Sequence, residues 1–175
     1  MKYIKKFEKL ITLDLEQKEL DLLMGNAVST NNLIVIRSLL DNGFDISSNQ
    51  KVPLIFKAAY KNNIEMVKLF SEFGANLNIK NHNKSIIMTI LSDSIDMNQT
   101  LTGAANNLKK YFEIIILLIK LGEEIDEDFM TELNNLKNKR NIGRTADELY
   151  SLIINECPKE YERYEIYKTS NKFNI

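Results

Sequence analysis

The chain has 175 residues, 44% of them hydrophobic and 27% charged, which is enough for one domain with a real core and too apolar for a disordered segment. A net charge of −1 gives no general field for gripping a phosphate backbone, so nucleic acid is not expected as a partner. Cys157 is the single cysteine, which excludes an internal disulfide and a cysteine-based metal cluster and fits a reducing, cytoplasmic setting.

Six glycines and two prolines are few for an all-β chain, and strand-like alternation is scarce. The expected class is all-α. The N-terminus, MKYIKKFEKLITL, is basic, but Glu8 and Lys9 interrupt its apolar run and no small-residue cleavage site follows. No signal peptide is expected there. The longest apolar run, Ile114 to Ile119, is too short to cross a bilayer, so no membrane role is expected.

In chain order, Tyr3, Ile4, Phe7, Leu10 and Ile11 share one helical face. Leu15, Leu20, Leu22 and Leu23 suggest a second helix, with Asp14 as its N-cap. Residues 1–24 read as an N-terminal cap. The second segment continues into Ala27-Val28, then Asn31-Asn32, then LIVIRSLLDNGFDI.

The stretch PLIFKAAYKNNIEMVKLFSEFGANLN, residues 53–78, restates that pattern. Pro53 can only start a helix, and Asn62-Asn63 breaks it at Tyr60. A second helix runs from about Ile64 to Glu72, with Ile64, Val67, Leu69 and Phe70 on its apolar face. Gly74 sits where a left-handed terminator is needed, which a residue with a Cβ fills at a cost of about 1 kcal/mol. One shift of 31 positions lays Ala27 on Ala58, Asn31-Asn32 on Asn62-Asn63, Ile36 on Val67, Leu39 on Phe70, Gly43 on Gly74 and Ile46 on Leu77. Hairpins this short cannot bury their apolar faces alone, and a fixed period near 30 is a solenoid signature.

The residues Pro53-Leu54, Ala58-Ala59, Asn62-Asn63, the run Ile64 to Leu69 and Gly74-Ala75-Asn76 resemble an ankyrin repeat of bacterial type. The resemblance is strong at 51–82, fair at 26–48 and weak elsewhere. It implies an ankyrin-like solenoid of stacked helix-turn-helix repeats with helical caps at both ends. Small residues in each first helix would allow close stacking, and the second helix would supply an aliphatic ridge. Three departures bear on the first-turn hydrogen bonds but not on the packing. Val52 replaces the usual Thr, Ile55 replaces the usual His, and one extra residue separates Leu54 from the alanine pair.

A third unit begins near Ser85, with Ile86, Ile87, Ile90 and Leu91 in its first helix and Phe112 to Leu121 in its second, ended by Gly122. About 16 extra residues fall inside it, near 93–109. They read either as a longer surface loop or lengthened helices, or as a partner-contacting loop. The fourth unit has drifted. Phe129, Met130, Leu133 and Leu136 mark one helix, RNIG a break, and Thr145 the N-cap of a helix bearing Leu149, Leu152 and Ile153, with Glu148 completing a capping box. Beyond Pro158, Tyr161, Tyr164 and Tyr167 stand three apart, as part of a cap or as an aromatic binding strip. The expected organisation is one domain over 1–175, with the cap at 1–24 and repeats at 25–48, 51–82 and 85–124. A degenerate repeat at 127–157 and a C-terminal cap or tail at 158–175 complete it.

No residues converge for catalysis, and no cofactor or metal is expected. His82, the only histidine, falls at a loop tip and reads as an exposed loop residue or a partner contact. Cys157 has no directly adjacent basic residue to activate it. The scattered glycines cradle no phosphate. Glu123, Glu124, Asp126, Glu127 and Asp128 form either a solvated turn that caps the next helix or an acidic patch for a basic partner. They lack the spacing of a calcium loop.

Stacked hairpins present an extended concave surface. The candidate partner-binding residues on it are Lys51, Phe56, Lys57, Tyr60, Lys61, Lys80, Asn81, His82 and Lys84, to which the acidic run 123–128 is added. The expected function is non-enzymatic binding of another protein by a chain that is a monomer when free. Small ankyrin-like proteins without a catalytic domain resemble immunity proteins that neutralise a cognate bacterial toxin. The alternative is an effector or intracellular scaffold that binds a host or housekeeping protein.

Overall fold

In the computed structural model the described residues are 17–46, 53–95, 101–139 and 142–173. They fall into two compact units, divided between Asn76 and Leu77. The first proposed helix, Tyr3 to Ile11, lies outside the described residues, as do Asp14 and Leu15.

The first unit holds two hairpins: α1 (Gln17–Ser29) with α2 (Leu33–Asp41), and α3 (Leu54–Tyr60) with α4 (Ile64–Glu72). Each first helix packs on its own second helix, and α1 packs on α3. Ala27, Ala58 and Ala59 are buried, so small side chains stand in the first helices where close approach is needed. Ile36, Leu39, Val67 and Phe70 supply the buried ridge of the second helices.

The shift of 31 seen in the sequence is a shift of conformation as well. Asn31 and Asn62 both take a left-handed backbone, φ 57° and 52°, which asparagine tolerates better than most residues. The next residue caps the second helix in each case: Asn32 accepts from the Val35 amide at 3.2 Å and Asn63 from the Met66 amide at 2.9 Å. Each second helix ends at a left-handed glycine, Gly43 at φ +86° and Gly74 at φ +80°. The chain then closes back identically, Phe44 N–H to Leu39 C=O and Ala75 N–H to Phe70 C=O, each 3.0 Å. Polar contacts tie one hairpin to the next. Lys61 Nζ donates to the Ser29 carbonyl at 2.5 Å, and the Asn63 amide donates to the Asn31 side chain. The Arg37–Glu72 pair at 3.4 Å is exposed and contributes little.

The second unit contains α5 (Ile86–Ser94), α6 (Leu101–Lys110), α7 (Phe112–Leu121), α8 (Glu127–Lys137), α9 (Gly143–Glu156) and α10 (Pro158–Phe173). α5 packs on α6, α7 and α8, while α9 packs on α6, α7, α8 and α10. The terminator recurs after α7: Gly122 has φ +110°, and Glu123 N–H donates to Leu118 C=O at 3.0 Å. Among the described residues every regular element is a helix, the expected all-α repeat class, and no helix is long and apolar enough to cross a membrane.

Three expectations about the helices need correction. Of the extra residues near 93–109, those from Leu101 onward form an added helix, α6, rather than a surface loop or a lengthening of its neighbours, and 96–100 lie outside the described residues. Ala104 and Leu108, four apart, bury its inner face, and it packs on α5, α7 and α9. Leu22, assigned to an apolar face, is 66% exposed, and Met24, Ala27 and Val28 bury the helix instead. Thr145 does not cap α9. That helix starts three residues earlier, with buried Ile142 at the N-cap position and no side-chain cap bond, and Glu148 pairs with Lys109 at 3.0 Å instead. Gly143 permits this start, because a Cβ there would lie 2.3 Å from the Lys137 carbonyl oxygen. As the departures from the ankyrin pattern imply, α3 has no side-chain cap bond; Pro53 serves only through its carbonyl, which accepts from Phe56 N–H at 3.1 Å.

Candidate binding surface

The proposed partner-binding residues divide between the two units. In the first unit Lys57 is half-buried, and Tyr60 and Lys61 are exposed. Phe56 is a correction: it is 0% exposed and belongs to the core. With Pro53 at the N-cap, α3 turns five of its seven residues inward and leaves only Lys57 and Tyr60 toward solvent. Lys51 lies outside the described residues.

In the second unit Asn81 to Lys84 forms a tight two-residue turn, closed by Asn81 N–H to Lys84 C=O at 3.0 Å and Lys84 N–H to Asn81 C=O at 3.1 Å. Its two central residues, His82 and Asn83, are left-handed at φ 50° and 63°. This geometry places His82 at the exposed tip. Lys84 reaches Ser92 Oγ at 3.2 Å. Lys80 reaches back toward the acidic run, 4.0 Å from Asp126, a juxtaposition that spacing alone did not suggest.

The acidic run is held in place from both sides. Asn78 donates to the Gly122 carbonyl at 3.2 Å and accepts from Glu124 N–H at 2.8 Å. Asp126 caps α8 by accepting from Phe129 N–H at 2.8 Å. Glu127 and Asp128 follow in the first turn of that helix, where the dipole favours carboxylates, and both are exposed. Ile125 is buried beneath them.

Glu123 departs from the expectation of a surface carboxylate. It is 2% exposed, and its Oε1 accepts from Ile87 N–H at 2.9 Å, satisfying a first-turn amide of α5. Burial pushes its pKa up to about 8 against two helix amides that pull it down, with a smaller upward push from Asp126. The left-handed turn at Gly122 is what directs this residue inward. Of the five acidic positions, Glu124, Glu127 and Asp128 therefore present an exposed anionic surface, Asp126 is half-buried, and Glu123 is structural.

The acidic run and α10 border a cavity of about 670 Å³. Its α10 wall carries Glu160, Arg163, Tyr164 and Tyr167. Glu160 and Arg163 gave no signal in the sequence, whereas the tyrosines stood out by their spacing of three. That spacing falls short of a full helical turn by about 60° per step, and the three rings divide accordingly. Tyr161 is half-buried and bonded to Tyr150 at 2.8 Å, Tyr164 is buried, and Tyr167 is exposed. The strip is thus part cap and part surface.

Cys157 is buried, its Sγ 3.9 Å from the Ile116 carbonyl, and burial pushes its thiol up to about 11. Among the described residues no three His, Cys, Asp or Glu side chains converge to hold a metal.

The ankyrin-repeat family model matches residues 49–82. No curated protein and no solved structure matches the chain.

Proposed function

Since the chain carries an ankyrin repeat at residues 49–82 and is in that sense an ankyrin-repeat protein, we propose that it works without catalysis, by binding another protein. The observation that carries this is the repeat itself, whose helix and turn leave Tyr60, Lys61 and His82 at the surface. Ankyrin repeats are protein-interaction modules, and the family is non-enzymatic. Aromatic and adaptable polar side chains of this kind suit a hot spot with a wet rim. Affinity capture from the native cell, repeated with the variants Tyr60→Ala and His82→Ala, tests it. A specific partner that either variant releases supports the reading, and repeated recovery of none overturns it.

The partner class we propose is a toxin of the same cell, with the protein acting as its immunity factor in the cytoplasm. Support comes from the small repeat fold and from the exposed carboxylates Glu124, Glu127 and Asp128, which suit a basic surface such as a nuclease presents. Co-expression with the toxin encoded beside it restores growth if this is right. A genome with no toxin gene beside it, or poisoned cells that are not rescued, overturns the toxin assignment and leaves the binding role standing.

A further inference from the structure

The cavity between the acidic run and α10 lies wholly within the second unit, and its lining is unbalanced in charge. Six carboxylates face two cations, Lys80 and Arg163, and Lys80 is already opposed by Asp126 at 4.0 Å. Taking Glu123 as neutral still leaves five anions against two cations. Glu123 belongs to the same lining, and its Oε2 is enclosed with no hydrogen-bond partner, so in its ionised form one acceptor remains that a donor would satisfy. Beside Glu160 and Arg163, α10 gives the rim an aromatic edge. Tyr167 is 59% exposed and lines the cavity, and its neighbour Ile166 is 60% exposed.

Anions, an unfilled acceptor and an exposed ring are the features that recognise a planar cation. A guanidinium donates through five N–H groups to carboxylates and stacks on aromatic faces, and its aliphatic stem covers apolar surface. We infer that this cavity receives an arginine side chain from a basic segment of the partner protein, with the exposed carboxylates taking its N–H groups and Tyr167 its flat face. The inference rests on the protein-binding reading above and assigns one contact within it. A divalent cation is a poorer fit, because no three ligating side chains converge there among the described residues.

The test is a titration of the full chain, labelled with nitrogen-15, with hexa-arginine amide as the probe and hexa-glutamate as the control. The expected result is a saturable shift of the amides of 122–128 and 160–167 with hexa-arginine and none with hexa-glutamate. Tyr167→Ala weakens binding about fivefold while Tyr167→Phe retains it, the size of a partly desolvated cation–aromatic contact. The double change Glu124→Gln with Glu127→Gln weakens it about tenfold. All three substituted side chains are exposed, so the fold is retained and the unshifted remainder of the spectrum checks this. Shifts scattered over carboxylates outside this lining, such as Glu65 and Glu113, or no response to Tyr167→Ala, reduce the effect to general charge attraction and overturn the assignment. If hexa-arginine fails while a captured partner still binds in a His82-dependent way, the cavity assignment falls and the binding function remains.

Discussion

The hairpin α3–α4 and the hairpin α8–α9 both depend on a glycine, for opposite reasons. Gly74 ends α4 in the left-handed region at φ +80°, and a Cβ built there meets nothing within 4 Å. Its requirement is backbone shape. Gly143 opens α9 with no positive φ, and a Cβ there would lie 2.3 Å from a backbone oxygen. Its requirement is space. The repeating hairpins are thus specified by local backbone preference, which a short pattern can display. The drifted hairpin is specified by contact between two helices, which no local pattern displays.

Substitutions can break that contrast. Gly143→Ala has the largest expected effect, about 3 kcal/mol of lost stability, because a backbone carbonyl cannot rotate away as a side chain would. Urea denaturation measures it, and a loss under 1 kcal/mol means that α8 and α9 separate easily. Glu123→Ala follows, at about 2 kcal/mol, through the unsatisfied Ile87 amide. Glu123→Gln keeps the acceptor and removes the charge, so its signature is pH dependence. The native pKa of about 8 stands above the ordinary 4.5, so the native state holds the proton more tightly than the unfolded chain does. This contribution is therefore complete below about pH 4.5 and is lost as pH rises through about 8. Melting temperatures from pH 5 to 9 should fall less for Glu123→Gln than for the parent chain, and parallel curves would place Glu123 in water.

Asn63→Ala removes both a helix cap and the contact with Asn31, for an expected loss of about 1.5 kcal/mol. Gly74→Ala costs about 1 kcal/mol from the left-handed backbone alone, and Gly74→Asn less. If Gly74→Ala matched Gly143→Ala, the distinction between shape and space would fail. Smallest is the Arg37–Glu72 pair, whose coupling in a double-mutant cycle is expected below about 0.5 kcal/mol because both side chains are more than half exposed.

The same division explains what could be read before the structure. The asparagine pairs, the terminal glycines and the ridges Ile36–Leu39 and Val67–Phe70 are set by neighbours in sequence, and they stand where expected. Helix α6 was missed because Gly103, Asn106 and Asn107 dilute its pattern, and two small contacts, Ala104 and Leu108, carry its packing. Thr145 offered a sound capping signal, but burial of Ile142 prevailed over it. Phe56 looked like a surface anchor because a helix of seven residues shows too little periodicity to reveal that it is covered on most sides. The acidic run was visible as charge, but not the inward turn of its first member or the Glu160 and Tyr167 side chains that α10 sets beside it. Those depend on pairing positions some 40 apart.

Glu123 binds the beginning of one helix to the ending of another, and that has a kinetic meaning. The Ile87 amide can meet solvent only when the turn after Leu121 lets go, so α5 and α7 should open together as one cooperative segment. In deuterium the exchange rate of that amide should track those of the last turn of α7 and not the faster fraying of an ordinary helix start.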